Sequence, residues 1–216
     1  MANKIHINTG SEGKRPLRFS QCLGQQNARA IYTACCNGRK LMFENDGIAI
    51  TQSDDASKPY LTLRFLGAKG STPAAYLSDS PIADTPKGGC PMCRLETPPA
   101  YGMLKYSGIW EGVDLELSEC DSGLKLNWVL STPCAVRSIR LMWEGAQGLE
   151  VAEDGSLRIT HPHGILTDEM PKAWQVVDAE FTPIGCAYKL TGKTEYTFDI
   201  ACGCDEESPI VIDPII

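Results

Sequence analysis

Short runs of alternating apolar and polar residues follow one another along most of the chain. In the segment 60–68, Leu61, Leu63 and Phe65 alternate with polar residues. A period of two places the apolar side chains on one face of an extended strand, so this segment is predicted to be a half-buried strand. No window shows a sustained helical period of 3.6 residues. The pattern therefore predicts an all-β, antiparallel protein with almost no helix.

Turn residues divide the alternating runs into strands. Within 19–52, Asn37-Gly38 and Asp46-Gly47 separate strand-like segments, which predicts a meander. From residue 101 onward, strand-like segments bounded by Gly, Pro, Asp or Asn recur at the spacing typical of a sandwich or barrel. We expect an antiparallel β-sandwich, or a sandwich-like domain of several sheets, over 19–216. It would contain sub-sheets 19–66 and 101–216, joined by the irregular loop 67–100.

The first 18 residues are polar and have too little apolar surface to fold alone. Within this N-terminal arm, Ile5 and Ile7 alternate with Lys4, His6 and Asn8. Such alternation suits a strand that adds to the edge of a sheet. The arm is therefore predicted to be an assembly element.

The segment 106–117 is predicted to fold as two short strands around a corner at Trp110-Glu111-Gly112. Gly112 supplies the backbone freedom that the corner needs. Asp114 lies between Val113 and Leu115, so a strand would turn it to the opposite face. The carboxylate suits a catalytic acid, a metal ligand or an acceptor for nearby backbone N–H groups. The structural role is preferred, because Asp commonly satisfies the backbone at turns.

Composition narrows the class of protein. The 216 residues are 43% hydrophobic and 22% charged, which fits a globular domain rather than a disordered chain. The formal net charge of −7 opposes binding to nucleic acid or to an anionic membrane surface. The N-terminus lacks the apolar core of a secretory signal, and no apolar run is long enough to span a bilayer. We expect synthesis in the cytoplasm, unless a cleaved signal preceded this sequence, and exposure at a cell or spore surface after release.

Ten cysteines are the unusual feature of the composition. Cys90 and Cys93 form a CxxC motif, and Cys202 and Cys204 form a CxC motif. Brought together, the four thiolates would suit a tetrahedral zinc ion. Disulfides, within the chain or between copies, and free thiols in a reducing cytosol are the alternatives.

Two further cysteines, Cys35 and Cys36, are adjacent on a predicted strand. Their side chains would face opposite ways, so they cannot easily bridge each other. One would point inward while the other reaches a neighbour. We therefore include both among the candidate cross-link residues.

Other polar and aromatic residues are assigned structural roles. His161 and His163 flank a proline at a predicted hairpin tip, which favours a turn over a metal site. Acidic pairs such as Asp168-Glu169 fall at loops or turns and are predicted to be solvated. Four tryptophans are predicted to pack in the core rather than to form a carbohydrate platform: Trp110, Trp128, Trp143 and Trp174. No Ser/His/Asp or Cys/His pattern, phosphate loop or Ca²⁺ loop is apparent.

Six motifs occur in a recognisable order: Trp110-Glu111-Gly112-Val113-Asp114-Leu115, Leu126-Asn127-Trp128-Val129, Ile139-Arg140-Leu141-Met142-Trp143-Glu144-Gly145-Ala146, Asp154-Gly155-Ser156-Leu157, Pro171-Lys172-Ala173-Trp174-Gln175 and Val211-Ile212-Asp213-Pro214. Together with Gly24-Gln25, they make residues 19–216 similar to an uncharacterised bacterial domain that usually precedes SBBP-type β-propeller repeats in cell-surface proteins. The resemblance implies a β-rich extracytoplasmic scaffold or adhesion module without assigned catalytic residues. The chain departs from the resemblance in ending without propeller repeats and in carrying Cys90-Pro91-Met92-Cys93.

These observations predict a non-enzymatic structural protein that assembles with copies of itself into a surface layer, filament or appendage. Strand-edge contacts and inter-subunit cysteine cross-links would hold the assembly, and no cofactor is expected. The alternative is an extracellular glycan- or protein-binding module, with the loop 67–99 as its binding surface and zinc as its staple. A hydrolase is a third hypothesis, which would require a pair of carboxylates in a cleft.

Overall fold

A computed structural model describes residues 18–22, 29–36, 39–52, 59–76, 100–120, 123–177, 180–201 and 203–213. These residues contain one 3-10 helix, Pro133–Ser138, between the tenth and eleventh strands. The strands, in chain order, are β1 Phe19–Gln21, β2 Tyr32–Cys36, β3 Arg39–Glu44, β4 Gly47–Gln52, β5 Leu61–Phe65, β6 Ala74–Tyr76, β7 Ala100–Tyr101, β8 Met103–Trp110, β9 Val113–Cys120, β10 Gly123–Leu130, β11 Leu141–Glu144, β12 Gly148–Val151, β13 Leu157–His161, β14 Gly164–Asp168, β15 Lys172–Val177, β16 Glu180–Ile184, β17 Cys186–Leu190, β18 Glu195–Ile200 and β19 Ile210–Asp213.

The strands form three antiparallel sheets. Sheet A has the order β17-β18-β11-β5-β4-β3-β2-β1-β7, and sheet B has the order β16-β15-β19-β10-β9-β8-β6. Sheet C is the small meander β12-β13-β14. The three sheets pack together, which confirms the predicted all-β, sandwich-like class.

The sheets are not divided as the sequence suggested. The predicted sub-sheets 19–66 and 101–216 differ from the observed ones, because β11, β17 and β18 extend sheet A beyond β5. Leu141 of β11 lies opposite Phe65 of β5 in this pairing. Without β11, the backbone groups on one side of β5 would have no strand partner. The strand β6 also lies within 67–100, which the sequence predicted to be irregular, and it pairs with β8.

Inward-facing residues of sheets A and B share a single core. Phe65 of sheet A makes edge-on ring contacts with Tyr106 and Trp128 of sheet B, with centroid distances of 5.6 and 5.8 Å. Trp110 and Trp143 are also buried, whereas Trp174 is half-buried. Three of the four tryptophans thus lie in the core, as their alternating contexts predict.

One buried carboxylate at the edge of this core is neutralised locally. Glu44 is 3% exposed, and its Oε2 lies 2.6 Å from an Arg64 guanidinium nitrogen. Arg64 also pairs with Glu144 at 2.7 Å, and the Tyr106 hydroxyl donates to the Glu44 carbonyl at 2.8 Å. Since an unpaired buried charge is costly, this network fixes β3, β5 and β11 relative to β8.

Candidate functional site

The corner between β8 and β9 is a two-residue hairpin with an irregular register. Trp110 lies opposite Val113, but the next pair is Tyr106 opposite Leu115, so β8 bulges between them. Asp114 lies opposite this bulge. Its Oδ1 accepts the Gly108 N–H at 2.8 Å, which is the backbone role that the pattern of the corner predicts. Bulges re-aim a strand, and Asp114 satisfies a backbone donor that the ladder leaves unpaired.

Gly112 and Trp110 complete the corner. Gly112 has φ of 72°, and a Cβ there would lie 2.5 Å from the Ser131 hydroxyl oxygen. The Trp110 indole donates to the Leu66 carbonyl at 2.9 Å, which ties the corner to the end of β5. The Asp114 carboxylate also pairs with Lys105 at 3.0 Å. These contacts tie the corner to β5 and β8.

Of the four cysteines of the predicted zinc site, only Cys204 lies within the described residues. Cys90, Cys93 and Cys202 lie outside the described residues. The Cys204 thiol donates to the Ala201 carbonyl at 3.3 Å. The described part of the chain contains no group of three or more His, Cys, Asp or Glu side chains arranged to hold a metal ion.

The other cysteines differ mainly in exposure. The thiols of Cys22, Cys35, Cys134, Cys186 and Cys204 are free. Cys35 is exposed on β2 and Cys36 is half-buried, so the two thiols do face different surroundings. Burial raises the pKa of the Cys186 thiol to about 12, which makes it unreactive. Cys134, on the 3-10 helix, is exposed and was not singled out from the sequence.

The two histidines occupy a hairpin tip. His161 lies opposite Gly164 where β13 turns into β14, and its Nδ1 accepts the His163 N–H at 3.3 Å. His161 is buried against Tyr60, with ring centroids 5.2 Å apart, and burial lowers the pKa of its imidazole. The turn reading of this motif therefore fits the geometry.

A groove of about 790 Å³ lies along the 3-10 helix, β17 and β18. Its lining mixes cations with acids: Arg137, Arg140, Lys189, Asp199 and Glu206. Because both signs of charge line it, the groove favours neither an anion nor a cation.

Exposed apolar side chains mark the sheet edges. Six large hydrophobic side chains are exposed in the described residues, and five of them lie on five different edge strands. These five are Tyr76 on β6, Val151 on β12, Ile165 on β14, Phe181 on β16 and Leu190 on β17. Edge strands present unpaired backbone groups, so each edge combines hydrogen-bonding capacity with apolar surface.

The edge strands differ in how they are protected. β17 carries exposed Lys189, β12 carries exposed Glu150, and β16 carries Pro183. Charges and proline are the usual devices against unwanted strand pairing. β6 and β7 have only three and two residues. Each of these edges is thus protected by a charge or a proline, or is too short to pair well.

The edge of β14 lacks these devices. The strand spans five residues, and its single charged residue, Asp168, is 1% exposed. Ile165, the second residue of the strand, is 63% exposed and lies on the same face as Thr167. Sheet order, which the sequence did not reveal, identifies this strand as an edge. It is the five-residue edge strand of the described part of the chain that has neither proline nor an exposed charge.

The inner face of β14 carries Asp168, a buried acid with a strongly raised pKa. Asp168 was expected to be solvated at a turn, but that expectation was wrong, because Tyr188 and Tyr196 of sheet A cover it. Burial, reinforced by Glu169 and Asp213, raises the pKa of its carboxyl to about 8. Asp168 is therefore a neutral acid at pH 7.

The predicted assembly arm, with Ile5 and Ile7, lies outside the described residues. No helix in the described part of the chain is both long and apolar enough to cross a bilayer.

Comparison with known proteins finds one family. The family model described as "Domain of unknown function (DUF7948)" matches residues 19–215. This match supports the predicted uncharacterised domain. No curated protein and no solved structure matches the chain.

Proposed function

The chain belongs to the DUF7948 family of domains of unknown function, a membership that assigns no chemistry, and we propose from its geometry that it is a non-enzymatic structural protein. It assembles with copies of itself through sheet edges. The observation that carries this proposal is the β14 edge, which exposes Ile165 and has neither proline nor an outward-facing charge. An edge of this kind pairs readily with another chain.

The occupant of the β14 edge is the N-terminal arm of a second copy. The arm segment 4–8 and β14 each contain five residues. Ile5 and Ile7 alternate with polar residues, so one face of the added strand would lie beside Ile165 while backbone groups complete the ladder. Fully extended, seventeen residues reach about 55 Å, enough to leave one subunit and join the next.

Donation of the arm to a different surface of the next copy is a head-to-tail contact. A contact of this kind produces rings when the rotation closes and filaments or layers when it does not. The proposal therefore predicts an open polymer or a closed ring, of which reciprocal exchange of arms between two copies is the smallest.

Cysteines would cross-link the assembled copies after release into an oxidising environment. Cys35 is the better placed of the adjacent pair, because its thiol is exposed whereas that of Cys36 is half-buried. The exposed thiol of Cys134 is a second candidate. Disulfides between copies would then stabilise contacts that strand addition had already formed.

We extend the proposal to a bacterial setting from the six ordered motifs alone. They support a relation to the domains that precede SBBP-type propeller repeats and a location at a cell or spore surface after release. Immunogold labelling of intact and lysed cells would test the location.

Sedimentation velocity over a range of protein concentrations, with negative-stain electron microscopy, tests the assembly under reducing conditions. Wild type should form concentration-dependent polymers. Removal of residues 1–17 and, separately, Ile165→Lys should each leave a folded monomer. Lysine is suitable because it is the charge that natural edge strands use to prevent pairing.

Phe181→Lys on β16 is the matched control. Phe181 is 66% exposed, slightly more than Ile165, so the two variants remove similar apolar surface. Phe181→Lys should leave assembly intact. Equal loss of assembly in both variants would indicate non-specific hydrophobic association, and a wild type that stays monomeric at every concentration would contradict the proposal.

A further inference from the structure

A lysine and a carboxylate meet where β10 runs beside β19. Lys125 Nζ lies 2.8 Å from Asp213 Oδ2. The Asp213 side chain is 11% exposed and that of Lys125 is 32% exposed, so the carboxylate is the more buried partner. Asp213 is the last residue of β19, which is the last described strand in chain order and belongs to sheet B.

The ion pair satisfies only one of the two Asp213 oxygens. Asp213 Oδ1 and Asp168 Oδ1 are both buried and have no hydrogen-bond partner among the described residues. Buried polar atoms are nearly always satisfied, and a buried carboxylate is costly even when one oxygen is paired. Asp213 is thus a buried carboxylate with one oxygen paired to an ammonium group and the other unpaired.

The neighbouring acid has the properties of a proton carrier. Asp168 is 1% exposed, and Tyr188 lies within hydrogen-bonding reach of its carboxyl. Burial and the charge of Asp213 keep its pKa near 8, so it holds a proton at pH 7. An acid that keeps its proton near neutrality can both donate and accept one during a reaction.

We infer that Lys125 and Asp213 condense to an intramolecular amide, a covalent cross-link between β10 and β19. The juxtaposition of the amine and the carboxylate at 2.8 Å carries this inference, together with the unpaired, buried Oδ1 of Asp213. Two reactive groups held in contact react much faster than the same groups free in solution. The inference does not depend on self-assembly.

The reaction balances without an oxidant or cofactor. Proton transfer within the ion pair gives a neutral Lys125 amine and a protonated Asp213 carboxyl. The amine nitrogen attacks the Asp213 carboxyl carbon, forming the C–N bond, while Asp168 supplies a proton to the carboxyl oxygen. The C–O bond then breaks, one water leaves, and the proton lost from nitrogen restores Asp168.

The product would join β19 covalently to β10, the central strand of sheet B. β19 pairs with β10 on one side and β15 on the other. An amide replaces both charges and cannot dissociate under load. It would fit a protein whose role is mechanical, although the bond would be useful in any stable domain.

Intact mass spectrometry of the denatured, fully reduced full chain tests the inference. The measured mass should be one water below the sequence mass, and a protease digest should contain a branched peptide joining Lys125 to Asp213. A mass equal to the sequence mass in protein incubated at neutral pH would overturn it.

Three variants separate the chemistry from folding. Lys125→Arg keeps the charge but removes the nucleophile, so the full sequence mass should return. Asp213→Asn should still form the same cross-link by losing ammonia, and its final mass should match that of wild type. Asp168→Asn should slow formation at least tenfold, which a time course of the mass shift measures.

Lys172→Arg is the matched control, because Lys172 lies opposite Asp213 on β15. The cross-link should survive this change. Its loss in Lys172→Arg, with retention in Lys125→Arg, would overturn the assignment to Lys125.

Discussion

The buried acid Asp168 predicts an unusual dependence of stability on pH. Replacement by Asn keeps the size of the side chain and removes the ionisable group. Burial is the largest cause of the raised pKa, so the effect does not require a charged Asp213. The wild-type protein should lose stability as pH rises from about 5 to about 8, and the variant should lose much less.

The sign and size follow from proton binding. In the folded protein the pKa of Asp168 is about 8, against an ordinary value of 3.8. Between these values the folded state holds a proton that the unfolded chain has lost, so rising pH favours unfolding. Each pH unit costs about 1.4 kcal/mol, or roughly 4 kcal/mol between pH 5 and pH 8. The loss levels off above the folded-state pKa.

Urea denaturation of wild type and Asp168→Asn at several pH values measures this difference. The variant should be close to wild type near pH 5 and more stable by several kcal/mol near pH 8. The stability difference between variant and wild type is compared at pH 5 and pH 8. Contributions of the other titrating groups cancel in this comparison, because both proteins share them. Parallel stability curves from pH 5 to pH 8 would refute the reasoning, since they would mean that Asp168 ionises normally in the folded state.

Three further predictions concern the corner and the cysteines. Asp114→Ala leaves the Gly108 N–H without its acceptor and should lower the free energy of unfolding by about 1–3 kcal/mol in urea titrations, without impairing assembly of the folded fraction. Gly112→Ala forces a side chain into left-handed backbone and should cost about 1–3 kcal/mol by the same assay, whereas Gly148→Ala, where a Cβ meets nothing within 4 Å, should change stability little. Elemental analysis of reduced protein should find far less than one zinc per chain. A content of one zinc per chain would instead support the zinc-stapled module. In that case, changing the CxxC or CxC cysteines to Ser would remove the zinc and unfold the protein.

Local patterns predicted the strands and the corner well, because both depend on neighbouring residues. Alternation around Leu63 reports which face is buried, and Gly112 reports a turn that requires left-handed backbone. Neither signal reports which strands are neighbours. The pairing of Leu141 with Phe65 joins residues far apart in sequence, so the division into sub-sheets differed from the observed topology.

The candidate sites were harder to predict for the same reason. Asp168 ends β14 and precedes Glu169, which is typical of a solvated turn, but its side chain is 1% exposed and lies near Tyr188 of β17 and Tyr196 of β18. The exposure of Ile165 is likewise decided by the place of β14 at the end of sheet C. Burial of an acid and exposure of an apolar residue both depend on tertiary packing, which a single sequence does not contain.

Amide hydrogen exchange in concentrated and dilute protein tests the self-assembly proposal most directly. Strand addition places the backbone N–H groups of β14 and of the arm segment 4–8 in a new ladder, so their exchange should slow markedly in the concentrated sample. The guarded edge β16 should exchange equally in both. Identical exchange of β14 at both concentrations, in a sample shown by electron microscopy to contain polymers, would contradict the proposal.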